Sequence, residues 1–150
     1  MEKSISLFDQ IRETFGVEEV EAKQYSPLTL AYIGDAVYEI IIRTVLVGHA
    51  NAPVNRLNKK ASSLVKAEAQ ANLIRAIEEN LTEEELAVYK RGRNAKSYTS
   101  AKNASIKDYR TATGFEALIG YLYMSNQMER ALELVKHGLN KLEEDFRLKK

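Results

Sequence analysis

The chain has 150 residues, 45% hydrophobic and 29% charged, the balance of one soluble globular domain with enough apolar residues to bury a sizeable core. A formal charge of +1 from 22 basic and 21 acidic residues excludes any whole-chain electrostatic argument for a nucleic-acid or membrane partner, which must be read from local charge instead. With no cysteine, disulfides, thiolate metal sites and thiol catalysis are excluded, and a reducing compartment is consistent.

The opening residues, MEKSISLFDQIRETF, carry acidic side chains and no apolar run of signal-peptide length. Elsewhere no run of about 18 apolar residues occurs, because Asp35, Glu39 and Arg43 interrupt the best candidate. A cytoplasmic protein without membrane contact is expected. Two prolines, seven glycines and apolar residues at helical spacing almost throughout predict an all-α fold, a single domain over residues 1–150.

Ser26 and Pro27 form the N-cap and first position of a helix predicted to run to about Val47 and stop near Gly48. Pro53 opens a second helical stretch to about Glu79, whose apolar stripe drifts around Ser62 and Ser63, where a kink or a division into two helices is expected. Thr82 and Glu85 fit a capping box, placing a helix from about Glu83 to Lys90. RGRNAKSYTSAKNAS, Arg91 to Ser105, is rich in Gly, Asn and Ser and is predicted as a loop. Ser105 then starts a helix through about Met124. The final helix carries Met128, Ala131, Val135, Leu139, Leu142 and Phe146 on one stripe and is predicted to run to the C-terminus.

The helix from Pro27 raises a physical question, because Asp35 lies more than two turns inside it and cannot be an N-cap. Asp35, Glu39 and Arg43, each four apart, could form a solvated line in which Glu39 and Arg43 contribute roughly 0.2–0.5 kcal/mol as an i,i+4 pair. Against that account stands Gly34, which weakens a helix by about 1 kcal/mol relative to alanine and so points to close approach of another backbone or a ligand. One aspartate is rarely a complete site, since a divalent cation needs several oxygen ligands. The best second carboxylate is Glu116 in TGFEALIGYLY. Two readings of it stay open: a capping box with Thr113 that starts a short helix, or an acidic group inside a helix that began at Ser105.

LAYIGDAVYE, followed about eighty residues later by FEALIGYLY, resembles the catalytic domain of ribonuclease III, whose signature helix carries Leu-Gly-Asp-Ala and whose later helix carries Phe-Glu-Ala-Leu-Ile-Gly. GRNAKS, the KNAS that follows and TGFEALIGYLY resemble more closely Mini-ribonuclease III, the short bacterial form, and the resemblance spans Pro27 to Met124. It implies a ribonuclease III-like helical fold in which Asp35 and Glu116 hold magnesium, with manganese able to substitute, for hydrolysis of double-stranded RNA. It also implies a homodimer, and a role in maturing the ends of 23S ribosomal RNA precursors, on naked RNA or on a precursor carrying a ribosomal protein. The longer enzymes have glutamates seven and four residues before the signature aspartate, where this chain has Leu28 and Ala31. Where they have an aspartate three before the second glutamate, this chain has Thr113, so the number of ions per site stays open.

From Lys90 to Arg110 there are seven basic residues and one acidic, Asp108, a net +6 in a chain whose total is +1. A basic loop containing Gly and Asn suits phosphate contacts along a duplex, with Tyr98 as a stacking group. Arg91, Arg93, Asn94, Lys96 and Lys102 are the expected RNA-binding residues. A final helix ending the chain leaves no room for an appended double-stranded-RNA-binding domain. Two rivals remain: a catalytically inactive RNA-binding dimer, given the missing carboxylates, and a helical protein-interaction domain.

Overall fold

A computed structural model of the chain describes residues 5–96 and 105–148. They form seven α-helices and no strand among the described residues, so the all-α expectation holds. The first helix, α1 (Leu7–Phe15), is capped by Ser6, whose Oγ accepts the Asp9 N–H, and it closes on Gly16 at φ 64°. A 3-10 turn over Ala22–Gln24 leads to α2 (Pro27–His49), where Ser26 Oγ accepts the Thr29 N–H. This helix passes Gly48 and stops two residues later than the glycine suggests.

The stretch after Pro53 divides into α3 (Val54–Val65) and α4 (Ala67–Ile77) at Lys66, whose backbone is extended. The division therefore falls three residues beyond Ser63. After a 3-10 turn, α5 (Glu83–Asn94) begins at the expected capping box, with Thr82 Oγ1 accepting the Glu85 N–H and Glu85 accepting the Thr82 N–H. Glu85 is buried, and the Arg130 guanidinium binds both of its oxygens at 2.8 and 3.0 Å, tying α5 to the last helix.

α5 corrects one boundary, since Arg91, Gly92, Arg93 and Asn94 continue the helix instead of opening a loop. A Cβ on Gly92 would lie 2.7 Å from Ala117 Cβ and 3.0 Å from Gly114 Cα. The glycine serves a helix-on-helix contact, and the Arg93 guanidinium caps the turn 5.4 Å above the Tyr89 ring. α6 (Ile106–Met124) starts at Ser105, whose Oγ accepts the Asp108 N–H. α7 (Met128–Lys141) stops short of the C-terminus. There the chain turns at Glu143, φ 55°, and Phe146 stacks face to face with His49 instead of extending the helical stripe.

α6 is the axis of the bundle, packed against α2, α4, α5 and α7. From Thr111 to Leu122 every residue is buried except Glu116, which is half-buried. A helix apolar on all sides is stable only at the centre of a core. Phe115, Leu118, Ile119 and Leu122 meet Leu30, Tyr38, Ile42, Leu73 and Ile74 there. A lone carboxylate in that axis needs a chemical reason.

Candidate active site

The crossing of α2 and α6 is made by glycines. A Cβ on Gly34 would sit 1.8 Å from the Glu116 carbonyl oxygen, and one on Gly120 would sit 1.9 Å from the Leu30 carbonyl oxygen. The two backbones touch with no side chain between them, which is the close approach that Gly34 signalled. Because Asp35 follows Gly34, this contact sets the Asp35 carboxyl beside that of Glu116, close enough for a hydrogen bond between them.

Their environments differ. Asp35 is exposed and Glu116 is half-buried. Desolvation first, and then the neighbouring Asp35, push the Glu116 carboxyl up to about 8, because two carboxylates sharing one site resist ionising together. The open question about Glu116 is settled by α6, which passes through it from Ser105. Thr113 is not a cap but donates its hydroxyl to the Tyr109 carbonyl at 3.0 Å. The solvated-line account survives only in part: Glu39 and Arg43 pair at 2.9 Å, while Asp35 sits with Glu116. Asp108 is held by Arg75 at 2.7 Å.

Leu28, Ala31 and Thr113 leave the pair without the extra carboxylates of the longer enzymes, and no third His, Asp or Glu joins them among the described residues. A residue that sequence reasoning passed over does: Gln70 of α4, only 3% exposed, donates from Nε2 toward Glu116 Oε2 at 3.4 Å. Its Oε1 is buried with no partner. Two adjacent carboxylates, the half-buried one holding its proton up to about 8 until a positive charge relieves it, are hard oxygen donors that fit a divalent cation such as magnesium or manganese.

The expected RNA-binding residues occupy the end of α5. Arg91 and Asn94 are exposed on its last turn, Arg93 is half-buried over Tyr89, and Lys96 is exposed just beyond. Lys102, with Tyr98, lies outside the described residues. Arg93 and Asn94 also line an open cleft of about 640 Å³ with Arg75, Lys107 and Arg110. Lys107 and Arg110 were legible only as part of a charge excess and Arg75 lay outside that segment, because the cleft brings α4, α5 and α6 together in space.

The ribonuclease III domain family matches residues 28–127. Mini-ribonuclease 3 of Clostridium tetani is 58% identical over 125 residues, 83% of either chain. That of Enterococcus faecalis is 52% identical over 124 residues, 81% of this chain and 94% of the relative. That of Thermoanaerobacter sp. is 45% identical over 144 residues, 96% of this chain and all of the relative. A crystal structure of a Fusobacterium nucleatum protein superposes with a TM-score of 0.72 at 28% identity, covering 80% of this chain and 96% of that one.

Proposed function

The chain belongs to the ribonuclease III domain family, and from that premise we propose that Asp35 and Glu116 are the catalytic, cation-binding pair of an endoribonuclease that cuts double-stranded RNA in one domain spanning residues 1–150. The observation that carries the assignment is the glycine crossing, which holds an exposed and a half-buried carboxylate together beside the apolar axis of the bundle. Asp35, exposed, is the group that approaching phosphate meets, and Glu116, half-buried, is fixed from below by α4 and α6. Magnesium, or manganese in its place, would supply Lewis-acid activation of water for attack on the phosphodiester. The residues themselves bind and orient: burial and the neighbouring Asp35 push the Glu116 carboxyl up to about 8, and a cation beside it favours the ionised form that binds the ion.

Cleavage of a labelled RNA duplex with magnesium, compared with magnesium withheld, tests the reading. Retention without cleavage would instead select the inactive RNA-binding dimer, for which Leu28, Ala31 and Thr113 speak. No retention would leave a protein-interaction domain.

Arg91, Arg93, Asn94, Lys96 and Lys102 would bind phosphates beside the cut, since the charge excess of this segment is concentrated at one end of α5 and α6. Replacing Arg91, Arg93 and Lys96 by alanine is expected to weaken duplex binding at all sequences and to flatten the plot of log affinity against log salt by about 2–3, one ion released per lost phosphate contact. Equal slopes for variant and parent would return these residues to a merely solvated role.

A homodimer fits the apolar surface left uncovered. Tyr32, Ile40 and Val47 lie on one face of α2 and are 82%, 56% and 58% exposed, and Leu7, Ile11 and Phe15 make a second apolar stripe on α1. A groove of about 290 Å³ between these helices is lined by Leu7, Phe8, Ile33, Ile40 and Met128. A two-fold contact uses one patch on both subunits, and two sites would then face opposite strands of one duplex. Sedimentation equilibrium at micromolar concentration is expected to return twice the chain mass, and a monomer that still cuts both strands in one encounter would sink the arrangement. The substrate we assign is the precursor of 23S ribosomal RNA at its ends, with a ribosomal protein on that precursor as the accessory partner. No helix among the described residues is long and apolar enough to cross a membrane, and the site of action we propose is the cytoplasm.

A further inference from the structure

We infer that Gln70 is a positioning residue for Glu116: its side-chain amide ties that carboxylate to the break between α3 and α4 and holds it in place for a divalent cation. The inference rests on the cation site proposed above.

Few polar side chains are buried in this bundle, and two of the others explain themselves locally. Glu85 closes a capping box and binds Arg130, and Thr113 bonds back to its own helix. Gln70 combines a local bond with one that reaches across the bundle. Its Nε2 donates at 2.7 Å to the carbonyl of Val65, the last residue of α3, and at 3.4 Å to Glu116 Oε2. The short bond fixes the orientation of the amide, because turning it over would set its oxygen against a carbonyl oxygen. The donor end of Gln70 therefore faces both Val65 and Glu116, and the acceptor end is left buried without a partner.

This arrangement makes sense around a charged Glu116. An N–H directed at a carboxylate favours its ionised form, the one that binds a cation. Val65 supplies the rigid anchor, since the extended backbone at Lys66 ends α3 there and the same residue begins α4. In a site where Leu28, Ala31 and Thr113 supply no carboxylate, the aim of Glu116 decides how well the ion is held. Partners that orient a ligand in this way typically change metal affinity or activity by about 10–100-fold when removed.

The test is calorimetric titration of manganese into the full-length protein without RNA, comparing the parent with Gln70→Met, which keeps an unbranched side chain and loses both donors. The expected result is a manganese dissociation constant raised by about 10–100-fold, with duplex-RNA affinity in EDTA unchanged and cleavage recovered as manganese is raised. Should Gln70→Met not be obtained folded, Gln70→Asn, which withdraws the amide from Glu116 by one methylene, carries the same expectation. Parental manganese affinity in the variant, or RNA binding in EDTA lost in step with manganese binding, would overturn the inference. Asp35→Asn in the same titration separates this outcome from failure of the site itself. If that variant binds manganese as the parent does, or the parent binds none, the cation-site reading falls. If it loses the ion while Gln70→Met keeps it, the Gln70 inference alone falls.

Discussion

Asp35→Asn is expected to yield a folded helical protein with a parental melting temperature and with magnesium-dependent cleavage of duplex RNA reduced by orders of magnitude. The side chain is exposed, so an amide of the same shape disturbs no packing, while the site loses half of the negative charge that draws the cation. Glu116→Gln should also lose cleavage but should behave differently in stability. The Glu116 carboxyl is raised from 4.5 to about 8 by burial and by Asp35. A raised acid keeps its proton in the folded chain after the unfolded chain has released it, so its contribution is full below about pH 4.5 and is lost as pH rises through about 8. In EDTA the parent therefore loses stability across that window, with an upper bound of about 1.4 kcal/mol per pH unit that partial exposure reduces. Glutamine does not titrate, so the variant gains on the parent as pH rises. Denaturant melts at pH 5 and pH 8 measure the difference, and parallel curves for parent and variant, or near-parental turnover of Asp35→Asn, would remove the pair from the mechanism.

What the sequence disclosed was what short-range chemistry decides. Ser26 with Pro27, Thr82 with Glu85, and Ser105 each cap the helix they announce, because capping involves residues within one turn. Ser6 and Gly16 mark α1 in the same way, a signal present in the sequence and passed over. Gly92 misled, since a glycine beside asparagine and arginine has the composition of a loop until Gly114 and Ala117 are brought against it. Phe146 misled for the opposite reason: its spacing continues the α7 stripe, but the left-handed Glu143 turns the chain and His49 provides the apolar face instead. Asp35 and Glu116 stood out as carboxylates in apolar surroundings, and the family resemblance joined them. Gln70 had no comparable signal, because a glutamine on an amphipathic helix is unremarkable until α4 packs against α6 and turns it toward Glu116.

Gly34→Ala is expected to be among the most damaging small substitutions in the chain, even though intrinsic helix propensity alone would make alanine the better residue by about 1 kcal/mol. The added Cβ would meet the Glu116 carbonyl oxygen at 1.8 Å, its carbon at 2.7 Å and the Gly120 nitrogen at 2.8 Å. All three are backbone atoms in the middle of α6, so no rotamer change can clear them. Relief requires α2 and α6 to move apart, which opens the packing of Leu30, Ile42, Phe115 and Leu118 along the same contact. Overpacking of this kind costs about 3 kcal/mol or more when backbone must shift, a fall of roughly 10 °C in melting temperature for a chain of this size. Gly48, in the same helix, has nothing within 4 Å of its Cβ position. Gly48→Ala should therefore show the propensity gain alone, with a melting temperature up by roughly 2 °C. Opposite signs for one substitution at two positions of one helix isolate the crossing as the cause, and a Gly34→Ala protein that melts at or above the parent would refute it. The displacement also reaches the chemistry, because Asp35 follows Gly34 and moves with α2 while Glu116 stays with α6. Misplacing a positioned group by about 1 Å can cost about 100-fold in rate, so cleavage by the surviving folded fraction should fall well beyond the loss explained by unfolding.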